Sequence, residues 1–198
     1  MEFYSVLSSR RSIRSFKDQG VPDSVIRTVI SAATVAPSAH NSQPARFVLL
    51  RSALRVELIK AMSARFEKDL RSDGLSETRI RERVKRSESV LLGAPVVLLV
   101  CQTMKDMQIY RDTARRRAEQ IMAVQSTAAA VQNLLLSAHA EGLGACWMCA
   151  PLFCQNLVKK RLALPEDYEP QAFIVLGYPA ENPSAPRRKP LGDIMQVL

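Results

Sequence analysis

Four short apolar runs, separated by longer segments of helical character, predict a small sheet layered with helices and mixed in strand direction rather than strictly alternating. Three observations carry this reading. The runs at residues 46–50, 95–101, 145–149 and 171–178 have the length and apolarity of buried strands. The segments between them repeat apolar residues about every three to four positions, and two helices are expected before the first run. No internal repeat, low-complexity tract or linker divides the 198 residues, so one domain over 1–198 is expected.

In chain order, Val21-Pro22-Asp23 reads as a helix start, since proline is tolerated in a first turn and an acidic residue suits the positive helix end. Val25, Ile26, Val29, Ile30 and Ala33 form one apolar face, and the helix should end at Ala36, before Pro37. After the strand at 46–50, a helix from Ser52 carries Leu54, Leu58, Met62, Phe66 and Leu70 at four-residue spacing. Asp73-Gly74 breaks it. Ser76 then caps a helix carrying Ile80, Val84 and Leu91, which ends at Gly93-Ala94-Pro95. The strand at 95–101 is apolar on both faces and belongs inside a sheet. Residues 113–140 contain neither proline nor glycine, and apolar residues surround most of the helix they predict. Burial on more than one face follows, in the core and at a subunit interface. Gly142 and Gly144 suit a left-handed cap before the strand at 145–149. Pro151 opens a short helix with Leu152, Leu157, Val158 and Leu162, stopped by Pro165. Beyond the last strand, residues 179–190 form a proline-rich crossing with the cations Arg187, Arg188 and Lys189. Leu191, Ile194, Met195, Val197 and Leu198 make a tail too apolar for a free end, expected to dock on another subunit.

The composition, 47% hydrophobic and 24% charged, is that of an ordinary globular protein. Met1-Glu2-Phe3-Tyr4-Ser5 lacks the basic and long apolar regions of a signal peptide, and no apolar run approaches the twenty or so residues of a membrane span. A cytoplasmic location is expected, without a membrane partner. Four cysteines, three of them between positions 146 and 154, do not resemble a disulfide framework. A net charge of +9 favours an anionic partner. The cations between 65 and 86 are interleaved with Glu67, Asp69, Asp73, Glu77 and Glu82, the pattern of solvated helix faces, so no nucleic-acid partner is expected.

The stretch richest in chemistry is Arg10-Arg11-Ser12-Ile13-Arg14, three cations and a hydroxyl ahead of the apolar anchor Phe16. Planar guanidinium forks fit phosphate oxygens, although such a run also occurs as a solvated face. Residues 37–44, Pro37-Ser38-Ala39-His40-Asn41-Ser42-Gln43-Pro44, offer hydroxyls and amides to a heteroaromatic ring or ribityl chain, or else serve as turn chemistry. No Gly-x-Ser-x-Gly, Walker or His-Glu-x-x-His motif is present, and the two histidines are too few for most metal sites. Gly142-Leu143-Gly144 lacks the third glycine of a dinucleotide fold. Cys146-x-x-Cys149 with Cys154 invites a zinc or redox proposal, against which stands the frequency of buried thiols in strands; no metal is expected.

Three separated pieces closely resemble the flavin-dependent nitroreductase family: Arg10-Arg11-Ser12-Ile13-Arg14-Ser15-Phe16, then Ala36 through Pro44, then Gly142-Leu143-Gly144-Ala145-Cys146-Trp147 with Leu176-Gly177-Tyr178-Pro179. The resemblance covers nearly the whole chain. It implies an α+β fold, a small mixed but mainly antiparallel sheet in a three-layer α-β-α arrangement, and an obligate homodimer with FMN at the interface. It also implies reduction of nitroaromatic, quinone or other unsaturated acceptors by NADH or NADPH in a ping-pong cycle. Carried over by motif, Arg10, Arg11, Ser12 and Arg14 would hold the FMN phosphate and ribityl end, with Arg187 and Lys189 closing from the far end of the chain. Pro37, Ser38, Asn41 and Gln43 would come from the partner subunit. The backbone at Met148, Cys149 and Ala150 would face the flavin N5 edge, with no acid, base or nucleophile required. Ala45 stands where the family often has an aromatic residue, and Cys149 and Ala150 stand where Gly or Glu is commoner, differences expected to reshape the substrate pocket. Within the family, the stretch from Met62 through Asp69-Leu70-Arg71-Ser72-Asp73-Gly74-Leu75 to Arg86, with Ala94-Pro95-Val96-Val97, is similar to the reductase domain fused to the glutamyl ligase of deazaflavin-coenzyme biosynthesis. An FMN-dependent reductase of a dehydro precursor of that coenzyme is therefore one alternative, and a non-catalytic flavin-binding protein is another.

Overall fold

The computed structural model describes residues 2–198; Met1 lies outside the described residues. The chain runs α1 (Phe3–Ser9), α2 (Asp23–Thr34), β1 (Ala45–Leu49), α3 (Ser52–Ser72), α4 (Glu77–Gly93), β2 (Val96–Gln102), α5 (Thr113–Ala140), β3 (Gly144–Met148), α6 (Gln155–Leu162) and β4 (Glu169–Gly177). Single 3-10 turns lie at Ala39–Asn41, Ala150–Cys154 and Leu191–Asp193. Two helices do precede the first strand. The predicted short helix from Pro151 divides into the second of those turns and α6.

The strands form one sheet in the order β1-β2-β4-β3, every neighbouring pair antiparallel. The mixed character expected from sequence reduces to one parallel bridge, Ser12 to Ala145. Alternation along the two central strands divides the core. Val96, Leu98, Val100, Ala172, Ile174 and Leu176 face α2 and α5, packing with Val29, Ala33, Leu134 and Ala138. Val97, Leu99, Cys101, Phe173 and Val175 point the other way, to Leu58, Ile59, Met62, Leu91 and Val158 of α3, α4 and α6. A sheet buried on both faces needs continuous apolar strands, and β2 is buried at every residue. The result is the three-layer α-β-α arrangement.

Helices α3 and α5 end alike. Gly74 and Gly142 adopt φ of +77° and +76°. Leu75 then donates to the Leu70 carbonyl at 3.2 Å, and Leu143 to that of Ala138 at 2.8 Å, so a left-handed residue satisfies the last-turn carbonyls. At the start of α5, the Asp112 carboxylate accepts from the Arg115 backbone at 2.9 Å. By length and hydropathy α5 would also suffice for a membrane span, although no uninterrupted apolar run in it does. Its buried residues Ala123, Ala130, Val131, Leu134 and Ala138 form a stripe, five of the positions through which it packs into the domain, as a core helix does. Ile121 and Val124 stay exposed, at 48% and 45%.

Candidate functional site

The arginine cluster is held by both ends of the chain. At the end of α1, the Arg10 backbone donates to the Val6 carbonyl, and the Arg11 guanidinium turns back to donate to the carbonyls of Ser8 (2.7 Å) and Arg10 (2.9 Å). Ser12 then bridges to Ala145, and the Ile13 N–H donates to the Ala145 carbonyl at 2.9 Å. This close approach requires Gly144, because a Cβ there would lie 2.7 Å from the Ile13 side chain. Next, the backbone N–H groups of Arg14 and Ser15 both donate to the Glu181 carboxylate, at 2.5 and 3.1 Å. Ala180 donates to the Ser15 carbonyl and Lys17 to that of Tyr178. These ties join residues 12–17 to Ala145 and to residues 178–181.

With the backbone so fixed, the Arg10 and Arg14 guanidinium groups take part in none of the ion pairs or side-chain hydrogen bonds found among the described residues. The Arg11 Nε is buried without a partner. The cations act on their surroundings. His139, whose Nε2 lies 2.7 Å from the Ser9 hydroxyl, is held below the ordinary imidazole range by burial and then by Arg10 and Arg11. Burial pushes the Cys146 thiol up, while Arg14 and Arg10 pull it the other way. Two unengaged guanidinium forks, a hydroxyl at Ser12 and an electropositive surround are a donor set that fits a phosphate.

Ala145 also begins the path to the second group of predicted residues. From there β3 runs to Met148, roughly 10 Å at strand rise. It is an outer strand of the sheet, with β4 on one side and only the Ser12 bridge on the other. Met148 is half-buried and Cys149 exposed, and the chain then turns at Ala150. One strand thus separates a cationic end from an end where Cys149 is exposed. Arg187 and Lys189 are exposed in the crossing that follows Glu181, and none of the hydrogen bonds or ion pairs among the described residues joins them to the cluster. The four cysteines are free, and no group of three metal-competent side chains gathers among the described residues.

The 37–44 loop stands apart. It lines a cavity of about 480 Å³ with Thr34, Arg46, Asp106 and Ser126, and none of residues 10–14 or 148–150 lines that cavity. Within one chain the structure does not bring Ser38, Asn41 and Gln43 into the same cavity as the arginines. Three residues of the loop without glycine's freedom hold left-handed backbone: His40 (φ 55°), Asn41 (φ 54°) and Gln43 (φ 46°). Such conformations cost about 1–3 kcal/mol each and persist where the surroundings over-determine them. Here they do. The Ser38 hydroxyl accepts from the Gln43 backbone (3.0 Å), the Ser126 hydroxyl from that of Ala39 (3.1 Å), and Arg46 donates to the Gln43 carbonyl (2.8 Å). The His40 ring reaches the Glu119 carboxylate at 3.3 Å.

Sequence reasoning missed Glu181, Glu119 and Ser126. Nothing local marks Glu181. Glu119 and Ser126 did carry a signal: they lie seven positions apart, two helical turns, on the face of α5 that also carries the buried Ala123, Thr127 and Ala130.

The sequence profile of the nitroreductase family matches residues 7–178. The Bacillus subtilis protein YfhC, assigned as an NAD(P)H nitroreductase, is 29% identical over 189 residues, 95% of this chain and 90% of that protein. Among solved structures, a protein from Desulfovibrio desulfuricans assigned as a nitroreductase, in complex with FMN, superposes with a TM-score of 0.76 at 29% identity, covering 98% of this chain and 95% of the other. A BluB-like flavoprotein from Clostridium difficile 630 gives 0.79 at 26%, covering 100% and 99%. The profile match takes in the arginine cluster and, at its far end, Gly177 of β4 and Tyr178, whose carbonyl accepts from Lys17: the chain belongs to the nitroreductase family.

Proposed function

We propose that the protein is an FMN-dependent oxidoreductase that takes electrons from NADH or NADPH and delivers them to a nitroaromatic, quinone or other unsaturated acceptor. The observation that carries this reading is the pair of unengaged guanidinium groups, Arg10 and Arg14, on a backbone fixed at the start of β3. Arg10, Ser12 and Arg14 hold the phosphate; Arg11, partly committed to α1, steadies the segment, and Arg187 and Lys189 approach from the C-terminal crossing. Bound FMN would supply the redox chemistry, accepting a hydride from the nicotinamide and passing electrons to an acceptor that follows it into the same place. The backbone of Met148, Cys149 and Ala150 borders that place, and no side chain need act as acid, base or nucleophile.

Pro37, Ser38, Asn41 and Gln43 complete the site from a second copy of the chain. The separation of their cavity from the arginines supports this, since one chain holds two half-sites apart. Exposed apolar residues are available for pairing: Ile121 and Val124 on α5, Phe3 and Tyr4 on α1, and Leu191, Ile194, Met195, Val197 and Leu198 in the tail. We place the dimer in the cytoplasm. The net charge of +9 favours acceptors that are themselves anionic, which keeps the dehydro precursor of a deazaflavin coenzyme as a second acceptor class.

Purified protein should be yellow or take up added FMN, bleach anaerobically with NADH or NADPH, and recover colour on addition of an acceptor. Bleaching without turnover of any acceptor would favour a flavin-binding role without catalysis. Colourless protein that refuses FMN would end the reading.

A further inference from the structure

Glu119 is a charged residue buried to 2% exposure near the start of α5, amid exposed arginines and ahead of the helix's apolar stretch. A carboxylate is rarely enclosed without partners, because it exchanges strong hydration for whatever the protein supplies. Each of its oxygens has one partner, and the two come from different loops. The His40 Nε2 lies 3.3 Å from one, and the Gln108 backbone N–H donates to the other at 3.1 Å. His40 belongs to the strained 37–44 loop; Gln108 belongs to the 103–112 connection between β2 and α5. The two loops meet elsewhere as well. The Ser42 hydroxyl lies 3.0 Å from the Met107 sulfur, the Thr103 backbone donates to the Pro44 carbonyl at 3.0 Å, and just past the loop Arg46 of β1 lies 3.9 Å from Asp106. Two turns along α5, Ser126 holds Ala39.

We propose that Glu119 is a positioning residue for the half-site on the 37–44 loop: its buried carboxylate clasps His40 and the 103–112 connection, and so holds Ser38, Asn41 and Gln43 in the backbone conformation that meets the flavin. The inference rests on the FMN reading above. Asn and His enter left-handed backbone more readily than most residues, but three such angles within four residues, Gln43 among them, are costly together, so the loop keeps this shape only while its anchors hold. His40 carries the first of those angles and is the residue that Glu119 grips. Releasing it frees the loop without touching any of the groups that would contact FMN.

The test is an FMN titration of flavin-stripped protein, with the unfolding temperature of each flavin-free variant measured alongside. His40→Ala and Glu119→Leu should raise the FMN dissociation constant by about tenfold or more, the effect of one charge-assisted hydrogen bond. Glu119→Gln keeps an acceptor for Gln108 and a polar group for His40, and should return affinity to within about threefold of wild type. The His40 side chain is 37% exposed, so His40→Ala should leave the flavin-free unfolding temperature close to wild type even if Glu119→Leu does not. Wild-type protein that binds FMN, with His40→Ala and Glu119→Leu both binding as wild type does, would overturn the inference alone. Wild-type protein that takes up no FMN would overturn it together with the functional reading.

Discussion

Replacing Gly144 by alanine tests whether the arginine arm and the sheet are one mechanical unit. Gly144 does not use left-handed backbone, so the cost of the substitution is spatial. The added Cβ would meet the Ile13 Cβ and Cγ2 at 2.7 Å and its Cγ1 at 2.8 Å, whereas ordinary contact begins at 3.4 Å. Ile13 must therefore withdraw by about 0.7 Å or more, and it does not move alone. Its N–H is bonded to the Ala145 carbonyl, with Ser12 and Arg14 on either side. Overpacking of this kind costs about 1–3 kcal/mol. For a domain of this size that is a fall of about 2–12 °C in unfolding temperature. FMN affinity should fall with it, because the guanidinium groups move with the segment. Scanning calorimetry on flavin-free protein and an FMN titration measure the two effects. Gly20→Ala, with nothing within 4 Å of the added carbon, is the control. An unchanged unfolding temperature would refute the packing argument, and a lowered temperature with unaltered FMN affinity would refute the role given to the arm.

Three further outcomes are expected. Arg10→Ala and Arg14→Ala should each weaken FMN binding by about 1.5–3 kcal/mol, with little change in stability, since neither guanidinium is engaged in the protein; retention of flavin through dialysis by both variants would return the cluster to a solvated face. Ala163 ends α6 with φ 46°, and Ala163→Gly should stabilise the protein by about 0.5–1 kcal/mol, read as a shift in denaturant midpoint. His139 is held below its usual 6.5 by burial and by Arg10 and Arg11, so the unfolded chain takes up that proton more readily. Its contribution to stability is complete above pH 6.5 and is lost as pH falls through the lowered value; His139→Gln should flatten that part of the stability profile, and adding inorganic phosphate or FMN should raise the His139 titration midpoint seen by NMR.

Local patterns in the chain were enough for most of the fold. The helix at 113–140 appears with the predicted bounds, and each strand falls within one or two residues of its apolar run, because periodicity and Gly or Pro punctuation are local properties. Gly74 and Gly142 adopt the left-handed geometry of helix ends, as the Asp73-Gly74 break and the expected cap required. Strand order was not legible: no local signal tells β4 to insert between β2 and β3. The same limit applies to the site. The arginines, Ser12 and the loop residues stood out by composition, but the contacts that hold them, Glu181 under Arg14 and Glu119 under His40, join residues 167 and 79 positions apart. Each acidic residue looks alone like one more surface charge in a chain with 19 of them.

The lacing of residues 12–17 to 178–181 also bears on how the protein is made. The arm at residues 12–17 leaves the ribosome before any strand, yet its partners Tyr178, Ala180 and Glu181 are synthesised after all four strands. The arm must remain unattached through most of translation, and the closure that fixes it spans nearly the full chain, a slow, entropically costly contact. Cofactor capture through Arg10 and Arg14 is then a late event, and a chain cut short after Gly177 would retain every strand of the sheet while lacking the residues that tie the arm down.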